Sequence, residues 1–312
     1  MAPSPPPGPG PAAQAAGVDR LAVLTLLIGA VGFLMLPVGD SFGKIMGEDG
    51  MAPIQVAWGR WTAQTVILTP IVLWMYGRAA WRPARIDLQI LRAMLIGLAT
   101  VCYFTAITLI PLADAAAVLF VAPLLVIALS ALLLKERVGL RRWAAVLIGF
   151  AGMLLIVKPG AGTVQWGALW ALAAAMLFAG FLILTRRMAG MNKPLVTLWW
   201  AGAVSTVFMG ALVIPVWRPP TMAEVAMLCA MGAIMALGHL LIIWAADRAE
   251  ASAMAPLPYL EMVTATVLGY FVFGDFPDLY TWIGCAVVIG AGLFVALREA
   301  RNAPRPPVLP DH

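Results

Sequence analysis

Two ionisable side chains lie deep inside long apolar stretches of the chain. Arg60 lies in the stretch 53–76, roughly 12 Å along a helix from its start, and Glu261 lies near the middle of the stretch 252–273. A charge there costs about 2.5–3.5 kcal/mol on membrane-insertion scales, so each residue is a candidate functional group. Arg60 could bind a substrate carboxylate through its planar guanidinium, or it could be structural, tied to a carbonyl or a carboxylate. Glu261 could bind an amino group, accept a coupling proton, or neutralise Arg60.

Five further side chains are candidates for the same site. Asp40 and Lys44 are four residues apart, so they share one face of a helix. We expect Lys44 either to snorkel to the outer interface with Asp40 as its partner, or to contribute to the mouth of the site. His239 could relay protons, or it could be a hydrogen-bonded core residue. Tyr103 and Trp244 could wall an apolar cavity, although tryptophans near the ends of apolar stretches are typical of the membrane interface.

The sequence carries no motif that indicates a metal, a cofactor or catalysis. Cys102, Cys229 and Cys285 fall within apolar stretches and lack metal-ligand spacing, so we predict inert buried thiols. There is no HExxH, no pair of histidines, no Ser-His-Asp set and no nucleotide-binding loop. These observations count against an integral-membrane enzyme, which stays an alternative hypothesis together with a channel that has no carrier cycle.

The composition indicates that the chain lies in a membrane. Of its 312 residues, 62% are hydrophobic and 11% are charged, whereas soluble domains usually contain about 25% charged residues. Apolar blocks of roughly 20 residues, long enough to cross a bilayer as a helix, recur along the chain. We therefore predict an all-α integral membrane protein with ten transmembrane helices over residues 21–46, 53–76, 88–109, 112–134, 141–158, 165–188, 194–217, 222–246, 252–273 and 279–298.

The charges predict how these helices are oriented. The net charge of +5 does not indicate nucleic-acid binding, because the basic residues lie at the ends of apolar stretches rather than in one patch. Lys and Arg concentrate in alternate loops, such as 135–142, whereas the opposite side holds Lys158 and Arg218. By the positive-inside rule, we predict a multi-pass protein of the bacterial inner membrane with both termini cytoplasmic. The ends 1–19 and 300–312 are predicted to be disordered tails.

The sequence also repeats internally. A shift of 139 positions aligns Glu136 with Asp275 and Trp143 with Trp282, and upstream the shift becomes 141. We predict two repeats, at residues 20–158 and 159–299, with five helices each. Because five is odd, the second repeat should be inverted relative to the first, and the loop after Asp275 has lost the basic residues of the first copy. Inverted repeats are typical of secondary transporters, whose substrate site lies between the halves.

Several motifs resemble those of the drug/metabolite transporter superfamily, in particular its ten-helix family with two EamA domains. The resemblance covers roughly residues 20–298. The motifs are Asp40-Ser41-Phe42-Gly43-Lys44, Pro53 to Arg60 (PIQVAWGR), Leu91-Arg92-Ala93, Pro111 to Pro123 (PLADAAAVLFVAP) and Lys135-Glu136-Arg137. In the second half, Met262 stands where the family usually has the proline seen here as Pro123, and Pro256 and Pro258 come slightly earlier. A helix break in the ninth span is therefore expected at a different position.

The resemblance implies uptake or export of amino acids, vitamins or related solutes such as S-adenosylmethionine, without an ATP-binding domain. We predict a secondary transporter that works by alternating access, with a small-molecule substrate and the lipid bilayer as its partners. A coupling proton, the direction of transport and the choice between monomer and homodimer stay open at this point. No cofactor and no nucleic acid is expected.

Overall fold

A computed structural model describes residues 11–133, 139–158 and 166–302. Within these ranges the chain is helical and contains no β-strand. The helices are α1 (Pro11–Glu48), α2 (Pro53–Tyr76), α3 (Ile86–Ile107), α4 (Leu112–Leu119), α5 (Ala122–Leu133), α6 (Leu140–Val157), α7 (Trp166–Arg187), α8 (Pro194–Val213), α9 (Met222–Ala246), α10 (Ala251–Met254), α11 (Leu260–Phe273) and α12 (Leu279–Asn302), with 3-10 turns at Gly77–Trp81, Ile214–Val216 and Leu257–Tyr259.

The helices confirm a multi-pass membrane protein. Within the described residues, eight helical segments are long and apolar enough to cross a membrane. Helix α2 has 24 residues but is not among them, because it carries polar side chains such as Gln55, Arg60 and Gln64, all of them buried. The segment Leu257–Phe273 is a shorter apolar helix.

Both end helices extend past the boundaries that the sequence predicted. Helix α1 begins at Pro11 rather than near residue 20, and α12 ends at Asn302. Alanine is the strongest helix former, and the sequence from Pro11 to Ala16 is rich in it. The rest of the predicted tails, 1–10 and 303–312, lies outside the described residues, as does the motif Lys135-Glu136-Arg137.

Two of the apolar stretches are interrupted at nearly equivalent positions, and the second break begins earlier than the 139-residue shift would place it, as Pro256 and Pro258 predicted. The stretch predicted as one helix over 112–134 is divided between α4 and α5, just before Pro123, whose ring cannot fit against the carbonyl four residues earlier. In the second half, the interruption lies between α10 and α11, around Pro256 and Pro258. Phe120 at the first break and Tyr259 at the second are related by the 139-residue shift, and their rings are 5.2 Å apart.

Helix α2 packs against α8 in an antiparallel sense. Near the start of α2, Trp58 Nε1 lies 3.2 Å from the position that a Cβ on Gly210 would occupy. Near the end of α2, Thr69 Oγ1 accepts a hydrogen bond of 2.9 Å from Trp199 Nε1. Residue numbers therefore increase along α2 in the direction in which they decrease along α8.

Helices α6 and α12 also pack antiparallel, with their backbones close together. A Cβ on Gly149 would lie 3.4 Å from Ala291 Cβ, whereas a Cβ on Gly284 would lie 2.6 Å from the carbonyl oxygen of Gly152. Glycine at the crossing removes the side chain that would keep the two backbones apart.

Glycines let α1 approach two neighbours. A Cβ on Gly39 would lie 2.7 Å from Met235 Cε of α9, and a Cβ on Gly43 would lie 2.3 Å from the Phe104 ring of α3. Helix α1 also lies against α11, while α3 lies against α7 and α8. These contacts bring α1 and α2 next to α9, α1 next to α11, and α3 next to α1.

Candidate functional site

Arg60 is buried without the partners that a buried guanidinium normally has. Its side chain is 8% exposed, its Cζ lies 4.4 Å from the centroid of the Trp61 ring, and Nη2 lies 3.6 Å from Met235 Sδ. Its Nε has no hydrogen-bond partner. The indole of Trp61 is itself fixed by a hydrogen bond of 3.2 Å to Thr100 Oγ1. Buried polar groups are usually paired, so the donors of Arg60 are available to a ligand.

Arg92 offers a direct contrast. It is also buried, but its Nε donates to Thr185 Oγ1 at 2.8 Å and its Nη1 donates to the Thr197 carbonyl oxygen at 3.2 Å. Its guanidinium lies 4.5 Å from the Phe181 ring centroid. Arg92 therefore connects α3 to α7 and α8 as a structural residue.

One acidic side chain, Asp40 on α1, lies near Arg60, and a second, Glu261 on α11, lies near Asp40. The carboxylate of Asp40 interacts electrostatically with the Arg60 guanidinium and with the carboxylate of Glu261. No direct ion pair joins Asp40 or Glu261 to Arg60 in the described part of the chain. Asp40 is thus within electrostatic range both of the Arg60 guanidinium and of a second acidic group, Glu261, which favours a ligand that carries both signs of charge.

Tyr103 and His239 complete this group. The Tyr103 hydroxyl is within electrostatic range of Asp40 and Glu261, and the His239 ring is within range of Arg60. His239 Nδ1 donates a hydrogen bond to the Met235 carbonyl oxygen at 2.6 Å, and Nε2 takes no part in that contact. Four of these five side chains are half-buried, and only Arg60 is fully buried. We call Asp40, Arg60, Tyr103, His239 and Glu261 the central cluster.

Lys44 does not pair with Asp40, so that expectation was wrong. Its Nζ lies 3.4 Å from a carboxylate oxygen of Glu48 and 3.4 Å from one of Asp275, and it donates to the Ile110 carbonyl oxygen at 3.2 Å. Lys44 is buried, and it joins the end of α1 to the segment after α11. It therefore lies at one end of the bundle.

Trp244 also lies apart from the central cluster. It is in the last turn of α9, where its carbonyl oxygen accepts a hydrogen bond of 3.0 Å from Arg248 Nη1. The Arg248 guanidinium lies 4.3 Å from the centroid of its ring. This position fits an interfacial tryptophan better than the wall of a deep cavity.

Two buried polar residues, one on the helix of Arg60 and one on the helix of Glu261, were not predicted from the sequence. Gln64 is 1% exposed, and neither its amide nitrogen nor its amide oxygen has a hydrogen-bond partner. Thr266 Oγ1 on α11 is likewise buried without a partner. Gln64 is four residues after Arg60 and so shares its helix face. That spacing inside an apolar stretch is the signal that could have identified it.

A second ion pair lies between the loops at the end of the bundle that carries Lys44. Lys158, which follows α6, pairs with Asp278, which precedes α12. The hydrogen bond from Lys158 lowers the pKa of the Asp278 carboxyl, so Asp278 keeps its charge at neutral pH. The pairs of Lys44 and Lys158 each join an element of the first repeat to one of the second.

Comparison with known proteins identifies the family. The sequence model of the EamA-like transporter family matches residues 20–158 and again residues 165–297. The chain belongs to the EamA-like transporter family. The two matches also confirm a two-repeat architecture for this EamA-like protein.

Curated relatives of this EamA-like protein are transporters. It is 28% identical over 283 residues to the S-adenosylmethionine uptake transporter of Rickettsia bellii (strain RML369-C), which covers 90% of this chain and 97% of that protein. It is 27% identical over 231 residues to the riboflavin transporter of Rhizobium johnstonii, which covers 74% of this chain and 76% of that protein. A solved crystal structure matches with a TM-score of 0.58 at 21% identity, over 90% of this chain and 98% of the other, and it supports the fold.

Proposed function

We propose that this protein is a secondary transporter that moves a small metabolite across the bacterial inner membrane by alternating access. The observation that carries the proposal is the buried guanidinium of Arg60, whose Nε has no hydrogen-bond partner, close to Asp40, which in turn is close to Glu261. The first repeat contributes α1, α2 and α3 to this central cluster, and the second contributes α9 and α11. A substrate site between the repeats is what a carrier of this architecture needs.

The charges of the central cluster favour a particular class of substrate. Arg60 suits a carboxylate, because its planar donors match carboxylate geometry. Asp40 and Glu261 suit a cationic group, since a nearby positive charge favours the ionised form of a buried carboxyl group. Trp61 and Tyr103 add aromatic surface. We infer a small organic solute that carries a carboxylate and at least one cationic centre, a description that S-adenosylmethionine fits and uncharged riboflavin does not.

A thermal-shift screen of the purified protein tests this assignment. The panel is S-adenosylmethionine, riboflavin, amino acids and nucleosides, each well above its expected Kd. A true ligand present at 100 times its Kd stabilises the folded protein by about 2.7 kcal/mol through mass action. We expect stabilisation by zwitterionic or cationic solutes, and saturable flux of the same solutes in proteoliposomes. Stabilisation by nucleosides alone, or flux that rises linearly with concentration, would contradict the proposal.

We further propose ten membrane spans in two inverted repeats, with both termini cytoplasmic. The equivalent helices α2 and α8 pack antiparallel, and so do the equivalent helices α6 and α12, as inversion requires. The contact of α1 with α9 has its counterpart in the contact of α7 with α3. Phe120 and Tyr259, which are equivalent under the repeat, meet where an axis between the halves would pass.

Cysteine labelling tests the inversion. Gly139 and Phe276 are both exposed and lie in equivalent loops of the two repeats. In a background where Cys102, Cys229 and Cys285 are replaced by Ala, we expect a membrane-impermeant maleimide to label Phe276→Cys in intact cells. Gly139→Cys should react only after permeabilisation. Labelling of both positions from one side of the membrane would exclude inverted repeats.

The ion pairs at the Lys44 end support a carrier that is closed on that side. Lys44 is buried and joins α1 to Asp275, while Lys158 joins the end of α6 to Asp278. Opening this end requires both contacts between the repeats to separate. In the proposed orientation this end faces away from the cytoplasm, so the central cluster would be reached from the cytoplasmic side.

A further inference from the structure

An apolar groove lies between α6 and α12, away from the central cluster. It has a volume of about 440 Å³. The residues that define it are Arg141, Ala144 and Ile148 on α6 and Ala286, Gly290 and Phe294 on α12. Every one of these side chains except Arg141 is apolar, so the groove offers a ligand hydrocarbon contact along its length and one cationic group.

The groove exists because the two helices diverge from a close crossing. At the crossing, a Cβ on Gly284 would lie 2.6 Å from the carbonyl oxygen of Gly152. Towards Arg141 the small side chains leave the space unfilled, and a Cβ on Gly290 would meet no atom within 4 Å. The distance from Ile148 to Arg141 is roughly 10 Å along α6.

The groove opens towards the bilayer rather than towards the bundle. Ile148 is 56% exposed and Phe294 is 49% exposed. Arg141 is exposed, and no ion pair or hydrogen bond of its side chain is present among the described residues. It lies in the first turn of α6, where the helix dipole also favours an anion. A ligand that suits the groove therefore has a hydrocarbon part and, next to it, a negatively charged group.

We propose that this groove binds one anionic phospholipid, with an acyl chain between α6 and α12 and the phosphate at Arg141. Basic pockets between membrane helices are suited to anionic head groups. A lipid suits this place better than a helix from a second copy of the protein, because the groove faces the bilayer and ends in a cationic side chain in the first turn of α6. A single hydrocarbon chain matches its shape, and Arg141 supplies the charge that selects an anionic lipid over a zwitterionic one.

Native mass spectrometry of the full-length protein in detergent tests this proposal, with phosphatidylglycerol and phosphatidylcholine titrated separately. We expect the wild-type protein to retain phosphatidylglycerol more tightly, and Arg141→Gln to remove about fivefold of that preference, as one basic residue near a membrane surface contributes. Gly290→Leu should weaken binding of both lipids because it fills the groove, and it should leave the melting temperature unchanged because the space is empty.

Two matched variants serve as controls. Arg82→Gln removes an exposed arginine from a different basic segment, and Val272→Leu enlarges an exposed apolar side chain on α11. Neither should change the lipid adducts. Equal loss of lipid preference in Arg82→Gln and Arg141→Gln would overturn the proposal, because it would indicate a general effect of charge. Lipid adducts that are unchanged in Gly290→Leu would overturn it too. So would a wild-type dimer that Gly290→Leu converts to a monomer, because the groove would then bind a second copy of the protein.

Discussion

Transport should fall at least about 30-fold when Arg60 is replaced by Met. The variant loses the proposed charge pair with the substrate carboxylate, and loss of one member of such a buried pair costs about 2 kcal/mol or more. The thermal stability of the empty protein should stay the same or rise. Arg60 lacks a hydrogen-bond partner at Nε and forms no direct ion pair with Asp40 in the described part of the chain, so an apolar side chain of similar length removes a costly buried charge without breaking an ion pair. The measurements are initial flux in proteoliposomes, with the solute found by the thermal-shift screen, and melting temperature without it.

Arg92→Met is the matched control for this experiment. Arg92 is equally buried but is hydrogen-bonded to Thr185 and to the Thr197 carbonyl oxygen. Its removal should lower the free energy of unfolding by about 2–3 kcal/mol, since hydrogen bonds to charged groups are lost. Transport per folded molecule should change much less than in Arg60→Met. If both variants lost folded protein equally, Arg60 would have a structural role, and the proposed substrate site would lose its main support.

Hydropathy was enough to locate most of the helices. Apolar runs of about 20 residues have only one stable form in a bilayer, so helices could be assigned to them, although α1 and α12 extend past the predicted ends. The predicted span 53–76 agrees with α2 (Pro53–Tyr76), even though its buried polar side chains leave it outside the eight strongly apolar segments. The break before Pro123 was not predicted in detail, since a proline near the start of a helix and one that interrupts a helix look alike in a sequence.

It was harder to predict which side chains meet in the central cluster, because that depends on how the helices are positioned against each other. The sequence placed Asp40 and Lys44 on one face, but the partners of Lys44 come from its own last turn and from the loop at Asp275. Trp244 was a candidate for the wall of a deep cavity, yet α9 ends two residues later. Hydropathy gives depth along one helix, whereas a partner on another helix depends on the angle and offset of packing.

The two arginines illustrate the same limit. Arg60 and Arg92 both lie in apolar helices, and no periodicity distinguishes a guanidinium with partners from one without them. The distinction comes from Thr185 and Thr197, which lie in the second repeat and reach Arg92 across the interface. Met235 of the same repeat faces Arg60 with a weakly accepting sulfur. The contact between the repeats thus fixes one arginine and leaves the other available.

Glu261→Gln should lower the affinity for a cationic or zwitterionic substrate at least about 30-fold, on the same scale of 2 kcal/mol or more for a buried charge contact. Asp40 is the electrostatic partner of Arg60, so the third hypothesis for Glu261, neutralisation of Arg60, has no support from its surroundings. The group that acts on it electrostatically is another acidic side chain, Asp40. A cationic group of the substrate is what that arrangement attracts, and the measurement is substrate-dependent thermal stabilisation of the variant.

The kinetics of exchange separate substrate binding by Glu261 from proton coupling. A residue that binds the substrate is needed both for accumulation driven by a pH gradient and for counterflow, in which labelled and unlabelled substrate exchange without net proton movement. We therefore expect Glu261→Gln to lose both activities. Glu48→Gln is the control, because Glu48 is half exposed and its pair with Lys44 is a weak i,i+4 contact, and both activities should persist. Counterflow retained in Glu261→Gln would instead make Glu261 the coupling residue and leave Asp40 as the acidic partner of the substrate's cationic group.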